Sequence, residues 1–94
     1  MRHLTLSPAA RDADLSRLDD IIAELESFGE SGLLTEHLRS ARQYLSGAMP
    51  EEYLVNLESA RRAVDSISDG DLQGRIDNAI AQLIAEINPS GETN

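Results

Sequence analysis

The sequence predicts an all-α fold, an antiparallel up-and-down four-helix bundle, on three observations. Four stretches carry apolar residues at alternating steps of three and four, the spacing that keeps side chains on one face of a helix. Each stretch is bounded by Pro or Gly at the positions these residues favour at helix ends. No segment shows the Val, Ile, Thr and aromatic alternation of a strand, and connections of about 2–5 residues force consecutive helices to run antiparallel.

The first helix is expected over about 8–28. Ser7-Pro8 reads as an N-cap followed by Pro at the first helical position, where a missing N–H costs nothing, and Gly29 supplies a left-handed stop. Leu15, Leu18, Ile22 and Leu25 form its stripe, with Ile21 and Phe28 widening it. The second helix, about 32–46, places Leu34, Leu38, Ala41 and Leu45 on one face and ends at Gly47.

The third helix is expected over 50–68, with Pro50 at its first position and Glu51 and Glu52 over the positive end of its dipole. Tyr53, Leu57, Ala60, Val64 and Ile67 give it an unbroken face, and Asp69-Gly70 closes it. Ser68, Asp69 or Asp71 caps the fourth, 71–87, where Leu72, Ile76, Ala79, Ile80, Leu83, Ile84 and Ile87 cover an apolar arc of about 140°. Residues 1–7 read as an N-terminal extension, 8–88 as a single domain and 89–94 as a disordered tail after Pro89.

Composition narrows the function classes. The chain of 94 residues is 40% apolar, so it has the material for a core, and its 17 acidic groups against 8 basic ones, all Arg, give a formal charge of −9. Such a charge repels a phosphate backbone, so no direct nucleic-acid binding is expected; the excess reads either as a source of solubility alone or as the mark of a basic protein partner. The absence of Cys removes disulfides, thiolate metal sites and cysteine nucleophiles. No apolar run reaches the ~20 residues of a membrane span, so no membrane partner is expected and the chain is read as cytoplasmic.

Reactive motifs are absent: there is no G-x-S-x-G, P-loop or H-E-x-x-H sequence, and neither catalysis nor a cofactor is expected. Asp65-Ser66-Ile67-Ser68-Asp69-Gly70-Asp71 resembles the start of a calcium loop, but Ile67 and Ile76 occupy positions that need oxygen ligands, so it reads as a helix–helix turn. No metal site is expected.

Three groups of residues remain as candidates. Asp12, Asp19 and Glu26 recur every seventh residue, with Glu30 closing an acidic ridge along the first helix. The ridge reads either as a solvated face or as a mimic of nucleic acid that blocks a basic groove. Leu54 and Val55 point away from the Tyr53, Leu57 and Val64 face and, with Ile84 on the flank of the wide fourth stripe, form a tentative contact surface for a partner or for a homodimer. Arg39 with Arg42 and Arg61 with Arg62 lie on consecutive helices where they could converge, although Glu58 and Asp65 are spaced to neutralise the second pair.

The third candidate is His37, at the edge of the apolar face of the second helix. The run Glu36-His37-Leu38-Arg39-Ser40-Ala41 resembles the phosphoacceptor helix of histidine phosphotransfer domains, where Leu, Lys and Gly stand two, three and four positions after the His. Here Leu38 and Arg39 arrive one position early, Ser40 replaces the Lys and only the small Ala41 matches. The resemblance implies phosphotransfer through His37; the residues by themselves imply a partly buried, hydrogen-bonded His.

The leading expectation is a non-catalytic protein–protein interaction module, regulatory, adaptor-like or chaperone-like, because the chain spends its information on helix faces and caps. Small acidic helical secretion chaperones share this size, charge and helicity. An acidic inhibitor mimicking nucleic acid and a phosphotransfer protein are the alternatives.

Overall fold

The structure is a computed structural model that describes residues 7–30 and 32–87. Four helices, α1 (Pro8–Ser27), α2 (Leu33–Ser46), α3 (Pro50–Ala63) and α4 (Gly70–Glu86), pack around one apolar interior, with no strand among the described residues. The expected tail, 89–94, and all but Ser7 of the expected extension lie outside the described residues.

Ion pairs between the helices show their directions. Asp19 and Glu26 of α1 pair with Arg42 and Arg39 of α2, Arg17 and Glu24 of α1 with Glu86 and Arg75 of α4, and Arg61 of α3 with Asp77 of α4. In the α1–α2 and α1–α4 pairs one number rises as its partner's falls, so these neighbours are antiparallel and the bundle runs up and down. α2 and α3 make the most extensive contact, while α1 rests mainly on α2 and touches α4 along a short seam.

The interior is the one the stripes describe. Leu18, Ile22 and Leu25 of α1, Leu34, Leu38, Ala41 and Leu45 of α2, Tyr53, Leu57 and Ala60 of α3, and Leu72, Ile76, Ile80 and Leu83 of α4 are buried together. Apolar side chains in such positions each contribute about 1.5–3 kcal/mol of transfer free energy against the entropy of ordering. Leu15, Ala79 and Ile84 are only partly buried at its margin, and Phe28, expected to widen the stripe of α1, is 49% exposed. Its position explains this: Phe28 is the C-cap, where the chain has already left the helical path.

The helix ends differ from the expected ones in instructive ways. Ser7 Oγ accepts the Ala10 N–H at 3.1 Å, as an N-cap should. At the other end of α1, Gly29 adopts φ +76° and lets the Glu30 N–H reach the Leu25 carbonyl at 2.9 Å. The end of α2 repeats this geometry one residue later than expected. Gly47 is an ordinary C-cap at φ −84°, and Ala48 takes the left-handed conformation at φ +59°, so that the Met49 N–H reaches the Tyr44 carbonyl at 2.9 Å.

The third helix stops at Ala63, five residues before the expected end. A 3-10 turn over Val64–Ser66 tightens the chain, and Ile67 is extended at φ −75°, ψ 125°. The apolar spacing survives the break because both Val64 and Ile67 still reach the core. Gln73 of α4 secures the turn by donating to the Val64 carbonyl at 3.2 Å. Of the expected caps of α4, Asp69 is the one used: its Oδ1 accepts the Leu72 N–H at 3.1 Å, and the helix starts at Gly70.

Candidate functional site

The most unusual group in the molecule is a carboxylate in the core. Asp14 of α1 is 0% exposed, four residues before Leu18 and seven before Ile21, so it occupies a stripe position. An isolated buried carboxylate is costly unless it is paired or neutralised. Its Oδ2 accepts from the Tyr53 hydroxyl of α3 at 3.3 Å, its Oδ1 has no donor among the described residues, and Arg17 approaches Oδ1 only to 3.9 Å because the guanidinium is engaged by Glu86 of α4.

Glu86 of α4 is the second acid that acts on Asp14. Burial first, then the hydrogen bond and charge of Glu86, push Asp14 up to about 7. The hydrogen bond from Asp14 and the Arg17 guanidinium hold Glu86 below its usual range. Burial and the Asp14 charge push the Tyr53 hydroxyl up, so it remains a donor. The cluster draws on three helices, α1, α3 and α4, but it is closed to solvent at Asp14 and Tyr53.

The apolar stripe read from the sequence passes over Asp14. The signal was present: Asp14 continues the Leu18 and Ile21 register better than Leu15, which is only partly buried.

The acidic ridge is not an uninterrupted line of charge. Asp19 binds Arg42 at 2.6 and 3.3 Å in a bidentate pair, and Glu26 binds Arg39. Asp12 is exposed and Glu30 half-buried, its carbonyl accepting from the buried Thr35 hydroxyl at 3.2 Å. Arg39 and Arg42 therefore face α1 and do not converge with Arg61 and Arg62. Arg61 turns to Asp77 of α4 at 3.1 Å rather than to Asp65, which sits in the 3-10 turn and off the helical register.

His37 is half-buried on α2, beside the fully buried Leu38 and Ala41. The hydrogen bond expected for it is not formed with any described residue; the neighbouring cation, Arg39, is held by Glu26. Among the described residues no cluster of three or more His, Asp and Glu side chains is placed to hold a metal ion.

The tentative contact surface divides. Leu54 is partly buried against the core, whereas Val55, one residue on and about 100° around the helix, is 59% exposed. Val55 lines an open groove of about 380 Å³ with Tyr44, Glu51, Glu52 and Asn56, between the end of α2 and the start of α3. Ile84 lines a second groove of about 410 Å³ with Glu58, Arg61, Arg62 and Asp77, between α3 and α4. Val55 and Ile84 thus belong to separate surfaces.

Comparison of the chain with family models, curated proteins and solved structures finds no match to any of them.

Proposed function

We propose that this protein is a non-catalytic interaction module that holds a basic amphipathic segment of another protein in the groove between α2 and α3. The observation that carries the reading is Val55, a β-branched apolar side chain left 59% exposed between the Tyr44 ring and the Glu51 and Glu52 carboxylates. An apolar anchor with an acidic rim and no cation among its described lining residues complements an apolar side chain flanked by Lys or Arg. A second copy of the chain fits poorly, because it brings a formal −9 against −9.

The test is binding of a fluorescein-labelled amphipathic peptide of Leu and Lys, followed by fluorescence polarisation, with a Leu and Glu peptide as control. Val55→Asp adds negative charge while removing the apolar anchor. It is expected to weaken capture of the basic peptide by about tenfold or more, the scale of one buried apolar contact. Unchanged or tighter binding by Val55→Asp, or no binding by the parent protein, rejects the assignment.

A further inference from the structure

We propose that Asp14 is a proton-operated latch: protonated, it ties the N-terminal half of α1 to α3 and α4, and ionised, it releases that half from the seam.

The geometry favours the protonated state when the latch is closed. An ionised carboxylate is acceptor-only, with room for about four hydrogen bonds, and here it receives one, from Tyr53 at 3.3 Å. Among the described residues, no donor reaches the buried Oδ1. The groups acting on Asp14 are Arg17 from its own helix, Tyr53 from α3 and Glu86 from α4, and none comes from α2. With both acids ionised, two negative charges share one guanidinium. One added proton gives Asp14 a donor toward Glu86 and brings the cluster to neutrality.

The consequence falls on the start of α1. Residues 8–13 place no buried side chain in the core, and the first apolar buried residue of the helix is Leu18. Beyond that point α1 is held by Leu18, Ile21, Ile22 and Leu25 and by pairs of Asp19, Glu26 and Glu24 with α2 and α4. The Asp14–Tyr53 hydrogen bond is the one polar contact between α1 and α3 among the described residues. Ionisation of Asp14 places a buried negative charge beside that of Glu86, with Oδ1 lacking a donor among the described residues. This outweighs the stronger bond accepted from Tyr53 and weakens the anchor of the first three turns while leaving the rest of the bundle packed.

Amide hydrogen exchange of the full chain, resolved by residue and normalised to the unstructured-chain rate at each pH, tests this. Protection of amides 12–17 is expected to fall by about tenfold or more between pH 5.5 and pH 8, while those of α2 and α3 hold. Asp14→Asn, which stays neutral, should keep amides 12–17 protected at both pH values. Glu86→Gln, which removes the competing charge and frees Arg17 for Asp14, should move the transition to lower pH, as read also by the carboxyl carbon shift of Asp14. Protection independent of pH in the parent protein overturns the latch. So does a fall that persists in Asp14→Asn, one unmoved in Glu86→Gln, or one spread equally over all four helices.

Discussion

The Tyr53 hydroxyl stands 3.3 Å from Oδ2 of Asp14, both side chains fully buried, and it joins two helices that lie diagonally across the bundle. In the closed, protonated state of the cluster this hydrogen bond ties α1 to α3, so its loss is felt where that state is populated. Tyr53→Phe should keep the fold and cost about 1 kcal/mol at pH 5, and less at pH 8, where ionised Asp14 has released the start of α1. Urea unfolding at the two pH values checks this, and a cost that grows toward pH 8 would show that the bond persists when Asp14 is ionised.

Asp14 also sets a sign for the pH dependence of stability. The ordinary value of its carboxyl is 3.8, and in the folded protein it is raised to about 7, so the native state binds this proton more tightly. The stabilising contribution is complete below pH 3.8 and is lost as pH rises through about 7. Glu86 is lowered, so its contribution is present above its ordinary value of 4.5 and is lost only in more acid solution. Between pH 5 and pH 8, Asp14→Asn should therefore gain on the parent protein by more than about 1 kcal/mol. Parallel stability curves for the two proteins would show that Asp14 does not titrate in this window.

These consequences were the least legible in the sequence, for a physical reason. Periodicity reports which positions face inward, and Leu18, Leu38, Leu57 and Leu83 are all 0% exposed as their spacing requires. It carries no information on whether a polar residue at an inward position has a partner on another helix. Asp14 needed Tyr53, 39 residues away, to be recognised as a core residue. The pairing of Asp19 with Arg42 is likewise invisible until the neighbours of α1 are known. At the end of α3 the spacing misled in the opposite direction. A 3-10 turn and one extended residue return Ile67 to the core where a continued helix also would have put it.

Asp69 links the end of that break to the start of α4. Its carboxylate satisfies the Leu72 N–H at 3.1 Å and lies at the positive end of the helix dipole. Asp69→Ala should cost about 1 kcal/mol, and Asp69→Asn much less, because the amide oxygen accepts the same hydrogen bond. Thermal unfolding monitored by circular dichroism distinguishes the two. Equal losses would mean that charge rather than the hydrogen bond dominates.

Two helix ends with the same hydrogen bonds and different residues give an internal comparison. Gly29 at φ +76° and Ala48 at φ +59° each allow the next N–H to reach back to a carbonyl five residues earlier, at 2.9 Å. Left-handed backbone costs a residue with a Cβ about 1–2 kcal/mol, whereas Gly gives up about 0.4–1 kcal/mol through the greater freedom of its unfolded chain. The first effect is the larger at both sites. Ala48 is exposed, so removing its methyl sacrifices no packing, and a Cβ at Gly29 would meet nothing within 4 Å. Ala48→Gly should therefore stabilise the protein by up to about 1 kcal/mol and Gly29→Ala should destabilise it by a similar amount. Chemical denaturation of both variants at one pH tests the pair, and a destabilised Ala48→Gly would place the end of α2 outside the left-handed conformation.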